Sequence, residues 1–214
     1  MAHVSTYREN CRKCSRLARH LTSSKKRYPA YHCKPVAAFG DQRAQLLVVG
    51  LAPGLHGANA TGRPFTGDHA GILLYQTLYK FGFSSRPSSE SSNDSLQLKN
   101  CRITNAVKCL PPANKPTTEE IRNCNGYLHN ELKLLEPASV VLALGKIAHD
   151  AVLRALALKL SRYPFAHGER HSIGYQLHLL DSYHCSRYNT QTRRLTQEQF
   201  EAVFSQAVSL LAEA

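Results

Sequence analysis

The chain has 214 residues, 43% of them hydrophobic, and a formal net charge of +12 at neutral pH. That length suffices for one domain (1–214) with an ordinary core, and no apolar run approaches the roughly 20 residues that cross a bilayer, so no membrane partner is expected. The N-terminus is polar and basic where a secretory signal would be apolar, so a cytoplasmic protein is expected, with its seven cysteines kept as thiols.

Residues 1–40 carry nine Lys and Arg against one acid, Glu9. They read as a basic arm suited to a phosphate backbone; the competing reading is a solvated face that aids solubility. Within the arm a helix is expected over 8–21, carrying Cys11 and Cys14, then a basic loop at Lys25-Lys26-Arg27 and irregular chain to Gly40. Residues 44–50 form a mostly apolar run of strand length, polar on one side and Gly/Pro on the other. A Leu- and Tyr-rich helix follows over 69–81, and 84–95 is a Ser/Pro-rich surface loop expected to be mobile. Strands are expected at 101–107, 139–144 and 175–180, and helices at 117–135, 146–158 and 196–212. Thr117 and Glu120 stand in capping-box spacing. Strands alternating with helices in this way predict an α/β protein whose parallel sheet is covered on both faces, with its site at the carboxyl ends of the strands.

Cys11-Arg-Lys-Cys14 is a claw of ligand spacing, and Cys109 and Cys124 flank a Pro-rich loop, 110–116, that can present thiolates from two sides. Folding would bring the pairs together around zinc or an iron-sulfur cluster, a choice that spacing leaves open. Cys33, Cys101 and Cys185 have no partner at ligand spacing and read as small buried hydrophobes.

Three loops leave the same sheet edge. The first, 50–68, holds five glycines and two prolines but neither GxxxxGK[ST] nor GxGxxG in its required context, which disfavours a nucleotide triphosphatase. In it Phe65 offers either a face for a base or an anchor in the core, and Asp68 is either a helix cap or a carboxylate that also holds water at a pocket edge. The second loop starts at Asn105, whose amide complements the Watson-Crick edge of a base or satisfies buried backbone. The third, 181–194, is rich in donors: His184 suits stabilisation of a leaving group, Ser186, Arg187 and Asn189 suit phosphates, and Tyr188 suits a wedge in a base stack. A Cys185–His184 nucleophile pair is disfavoured because adjacent side chains point apart.

In order along the chain, Cys11-x2-Cys14, Gly50-Leu51-Ala52-Pro53, Thr61-Gly62-Arg63-Pro64-Phe65-Thr66-Gly67-Asp68, Asn105-Ala106-Val107-Lys108-Cys109 with Pro111-Pro112, Cys124, and His184-Cys185-Ser186-Arg187-Tyr188-Asn189-Thr190 resemble the uracil-DNA glycosylase superfamily. The likeness is greatest to its iron-sulfur family 5, often called type B. It implies a three-layer α/β/α sandwich with a central four-stranded parallel sheet and an N-terminal cysteine-bearing arm. It also implies a four-iron four-sulfur (4Fe-4S) cluster on Cys11, Cys14, Cys109 and Cys124, with zinc as the alternative. By the same resemblance, Gly50, Ala52, Pro53, Gly54, Phe65 and Asn105 bind a flipped base, and Asp68, Asn105 and His184 act in hydrolysis of its glycosidic bond. Ser186, Arg187, Tyr188 and Asn189 then contact DNA containing uracil or another deaminated base such as hypoxanthine or xanthine. The chain departs from family patterns at Leu51, where family 4 has an acid, and at Gly54, Cys185 and Arg193, which bears on base preference and the wedge. A monofunctional, monomeric glycosylase is the expectation, since no lysine in these loops presents an isolated amine; the alternative is a non-catalytic zinc-containing nucleic-acid-binding protein.

Overall fold

The computed structural model describes residues 6–213. Helix α1 (Ser15–Arg27) is followed by β1 (Phe39–Gly40), β2 (Leu46–Gly50), the single turn α2 (Ala58–Thr61), α3 (His69–Lys80) and β3 (Cys101–Asn105). Next come α4 (Thr118–Leu132), β4 (Val140–Leu144), α5 (Lys146–Ala155), β5 (Arg170–Ile173), β6 (Leu177–Ser182), the short α6 (Arg187–Gln191) and α7 (Gln197–Ala212). The strands form one sheet in the order β1-β3-β2-β4-β6-β5. Its four central strands are parallel, as the alternating pattern requires, while β1 and β5 pair antiparallel at the two edges. The sheet therefore has six strands where four were expected. β1 is two residues long, and β5 reads Arg-His-Ser-Ile with mostly exposed side chains, so neither carries an apolar strand signal.

The central strands are buried on both faces, and successive side chains go to opposite layers. Leu46, Val48, Ile103 and Leu142 pack against Leu74 and Leu78 of α3 and Phe200, Phe204 and Ala207 of α7. Leu47, Val49, Val141 and Leu179 pack on the other side against Leu17 of α1, Leu128 and Leu132 of α4 and Ala151 and Val152 of α5. Each such aliphatic side chain contributes about 1.5–3 kcal/mol by burial. Two capping boxes start helices on opposite layers, Thr117 with Glu120 for α4 and Thr196 with Gln199 for α7. No helix among the described residues is long and apolar enough to cross a membrane.

The arm differs from expectation. Both Cys11 and Cys14 lie before α1, Cys14 being its N-cap in extended conformation, and the helix runs on through Lys25, Lys26 and Arg27. Three cations in a last turn complement the negative helix end, so this triplet prolongs the helix instead of ending it. The arm is bound to the body by Arg16, which bridges to Glu120 at 2.7 Å, and by main-chain bonds from His32 to Ala60, Cys33 to Asn59 and Val36 to Lys108. Segment 84–95 is tied down as well. The Arg63 guanidinium, stacked on the Phe39 ring, donates to Asp94 Oδ1 at 2.5 Å, to the Ser92 carbonyl and to the Ser89 hydroxyl. A Ser/Pro-rich composition suggested mobility; a buried arginine 21 or more residues upstream ties the segment down, with help from Thr66 on Ser89 and from the Ser84–Leu98 bridge.

Candidate active site

Gly50 and Asn105 stand opposite each other in register where β2 and β3 end, and the chain leaving β6 brings His184 to the same edge. Ala52, Gly54, Phe65, Asp68, Asn105, His184, Ser186 and Arg187, drawn from all three loops, line a cavity of about 320 Å³. Of the sequence-derived residues, Gly50 does not line it but lies against Asn105 and Phe65, which do; Pro53 is buried, and it, Tyr188 and Asn189 are outside the lining. Leu51, singled out for its departure from the family 4 pattern, also lines it, as do Ala58, His69, Ala70 and Asn114, which sequence reasoning did not name as site residues. His69 was legible as the neighbour of Asp68. Asn114 belongs to the loop between Cys109 and Cys124, so the cysteine-bearing segment reaches the cavity wall.

Phe65 and Asn105 meet over Gly50. A methyl group there would lie 2.4 Å from Asn105 Oδ1 and 2.6 Å from the Phe65 ring, so only glycine lets both side chains close over the strand end. Phe65 itself takes a left-handed backbone conformation, φ 54°, a state that costs a non-glycine residue of order 1–3 kcal/mol and persists only where surrounding structure enforces it. The Tyr75 hydroxyl enforces it by donating to the Pro64 carbonyl at 3.0 Å. The ring presents one side toward His184, the two rings lying 6.0 Å apart and 29° from parallel. Asn105 is buried with no hydrogen bond to its amide from another described residue, so a donor and an acceptor face the cavity together.

Asp68 is a helix cap with one carboxylate oxygen left toward the glycine loop. As N-cap of α3 its Oδ1 accepts from the Gly71 amide at 2.9 Å. Its Oδ2 faces the glycine loop, 2.4 Å from where a Gly57 methyl group would sit and 3.7 Å from one on Gly54. Burial raises the Asp68 carboxyl above its ordinary value, an effect opposed by the Gly71 and Ala70 amides. Burial likewise lowers His184 to about 4, so its imidazole is neutral at physiological pH and holds one donor N–H. A carboxyl group and a neutral imidazole thus face one cavity, where each can act on charge that develops nearby. Cys185 takes no part: it is wholly buried, its thiol donates to the Ala70 carbonyl at 3.3 Å, and burial pushes its pKa well up. That disposes of the cysteine-nucleophile reading.

In the third loop Ser186 caps α6, its hydroxyl accepting from the Asn189 amide, while Asn189 Nδ2 donates to the His184 carbonyl at 2.8 Å. Asn189 therefore braces the loop that presents His184, a duty its composition did not announce. Arg187 and Tyr188 are free of such work and stand out into solvent, Tyr188 at 70% exposure.

The four ligand-spaced cysteines come together as the spacing required. Cys11 and Cys14 from the arm, Cys109 just past β3 and Cys124 in α4 line one pocket with Asn123 and Tyr127. The Lys108 amide donates to Cys124 Sγ at 3.3 Å and Asn123 Nδ2 to Cys14 Sγ at 3.7 Å, contacts that suit metal-bound thiolate. Burial, then the neighbouring cysteines, raise Cys109 to about 12, so four thiolates here need a cation to coexist. Four thiolates converging on one pocket suit either a single zinc ion or an iron-sulfur cluster.

A family model described as the uracil DNA glycosylase superfamily matches residues 37–208. The chain is 47% identical over 205 residues to a protein of Thermus thermophilus named type-5 uracil-DNA glycosylase, spanning 94% of this chain and 93% of that one. A protein of the same name from Pyrobaculum aerophilum is 41% identical over 94% of this chain and 88% of its own length. One from Archaeoglobus fulgidus named type-4 uracil-DNA glycosylase is 28% identical over 91% and 86%.

Proposed function

Since the chain belongs to the uracil-DNA glycosylase superfamily, we propose that it is a DNA repair hydrolase that removes uracil from DNA and leaves an abasic site. The observation that carries this reading is the convergence of Phe65, Asp68, Asn105 and His184 on one cavity at the ends of three parallel strands. A base inside a duplex is out of reach, so the nucleotide is flipped into that cavity. Phe65 stacks on the base, and Asn105 bonds its Watson-Crick edge from above Gly50. The main chain from Ala52 to Gly54, backed by Pro53, closes the wall.

Breaking the glycosidic bond puts positive charge on the sugar and negative charge on the departing base, by analogy with O-glycoside cleavage. Asp68 answers the first, and its free oxygen holds the attacking water on the loop side. The neutral His184 imidazole donates to the base oxygen that gathers the second. One such preorganised donor is worth about 3–4 kcal/mol in the transition state. No lysine lines the cavity, which supports base removal without strand cleavage. Arg187 and Ser186 hold the phosphate next to the flipped nucleotide, and exposed Tyr188 enters the gap it leaves, with Asn189 as their brace.

Cys11, Cys14, Cys109 and Cys124 would hold a four-iron four-sulfur cluster, a reading supported by their convergence on one pocket and by the family the chain belongs to, with zinc as the alternative. The cluster would supply a structural staple at the start of the basic arm. Hypoxanthine and xanthine are further candidate bases, since an asparagine amide can present either donor or acceptor. Duplexes carrying each base opposite each partner, assayed for free base before and after chemical cleavage of abasic sites, test the whole reading. Uracil release with strand breaks only after the chemical step is expected. Binding without any base release would favour a non-catalytic nucleic-acid-binding protein instead.

A further inference from the structure

On the α5 side of the sheet, away from both the cavity and the cysteines, Asp181 of β6 is wholly buried between His149 of α5 and His171 of β5. His149 Nε2 lies 2.9 Å from the Tyr163 carbonyl. A carbonyl only accepts, so Nε2 carries a proton. His149 Nδ1 lies 2.8 Å from Asp181 Oδ1. Two lone pairs do not face each other at that distance, so either a second proton lies between them or both atoms are turned toward one metal ion as adjacent ligands.

A proton satisfies Oδ1 alone, while Asp181 Oδ2 is buried with no hydrogen-bond partner among the described residues. His171 Nε2 is 3.8 Å from Oδ2, too far for a hydrogen bond and about twice a zinc–ligand bond length. An ion placed between Oδ2 and His171 Nε2 would reach both, with His149 Nδ1 close by; one atom from each of the three residues lies within 4.8 Å of the others. The Tyr163 carbonyl then plays the part usual for the second nitrogen of a metal-binding histidine, fixing tautomer and ring orientation. Coordination would replace one hydrogen bond, between His171 Nε2 and the Pro164 carbonyl at 3.1 Å.

We propose that His149, His171 and Asp181 form a second metal site, taking one borderline divalent transition ion such as zinc. Two imidazoles and a carboxylate suit zinc, iron(II), cobalt(II) or nickel(II) and not the oxygen-seeking magnesium or calcium; water completes the shell. The ion would pin the edge strand β5 and the 163–169 segment to β6, whose main chain already exchanges bonds with it through Gly168 and Glu169. Three residues beyond Asp181 stands His184, so the pin stiffens the strand that delivers it.

The test uses the cluster-loaded full chain, dialysed free of loose metal and equilibrated with zinc, with zinc and iron measured in the same sample. About one zinc per chain beyond the iron is expected, with only nitrogen and oxygen in the zinc X-ray absorption shell and a zinc-dependent rise in Tm. Asp181→Asn and His171→Gln should each lose the zinc with iron unchanged. His171 sits at the sheet edge, so His171→Gln decides the matter should the buried aspartate variant misfold. No bound zinc, zinc retained by the folded variants, or sulfur in the zinc shell would overturn the site.

Discussion

Asp68 caps α3 with one oxygen and, in the proposed function, serves the reaction with the other, and substitutions can separate the two. Asparagine caps helices as well as aspartate does, so Asp68→Asn should keep the bond from the Gly71 amide and leave Tm within a degree or two, while single-turnover uracil release falls about 10²–10³-fold for lack of the charge. Gly57→Ala attacks the same oxygen by geometry alone, because the new methyl group would meet Oδ2 at 2.4 Å. A shift of the carboxylate by an ångström should cost about 100-fold in kcat/KM with the charge still present. Equal activity of both variants to the parent would remove Asp68 from the reaction. His184 leaves a signature in stability. Its folded pKa near 4 lies below the ordinary value of 6.5, so between those values the unfolded chain binds more protons and stability rises with pH. The whole window is worth up to about 3 kcal/mol. Denaturation curves for His184→Gln should be flatter than the parent's between pH 4 and 6.5; identical slopes would mean that the imidazole is not held neutral.

At the scale of elements, what the sequence disclosed depended on whether a signal was local. The four parallel strands are apolar runs and the capping boxes of α4 and α7 are fixed spacings, so each could be read from a few adjacent residues. The three strand-end loops followed, and with them most of the cavity. β5 and β1 exist only because β6 and β3 offer them partners, and nothing in their own composition says so. Asn114 reaches the cavity by the same long-range logic. The 84–95 segment is the sharpest case, since much of its order comes from Arg63. For Asp94, burial alone would raise the carboxyl, but the Arg63 guanidinium and three backbone amides prevail and take it to about 2. A depressed carboxylate stabilises above its unfolded value near 4 and loses that contribution as pH falls through about 2. Asp94→Ala leaves Arg63, only 7% exposed, without its partner, and should cost about 3 kcal/mol. Hydrogen exchange in 84–95 should quicken in that variant; unchanged protection would show the segment to be held by other interactions.

Across the whole molecule, charge and the first cysteine pair share the N-terminal arm. Nine of the cations lie in the first forty residues, and the arm that carries them brings Cys11 and Cys14 to Cys109 and Cys124 before it runs on to pair with the α2 turn through His32 and Cys33. Tyr31 reaches further, its hydroxyl lying 2.9 Å from His56 Nδ1 in the glycine loop. The arm therefore has two separable effects, attraction of DNA by its exposed cations and support of the loop that holds Asp68. Removing cations alone should touch only the first. Lys26→Ala with Arg27→Ala, both exposed at the end of α1, should weaken binding to uracil-containing and plain duplex by the same factor. Every phosphate left without its cation should reduce the slope of log affinity against log salt by about 0.9, and base release at saturating enzyme should be unchanged. Cys14→Ser, by contrast, frees the staple and should lower both Tm and the saturated rate. If the double charge variant slowed the saturated rate as well, the arm's cations would belong to the chemistry and not merely to the encounter.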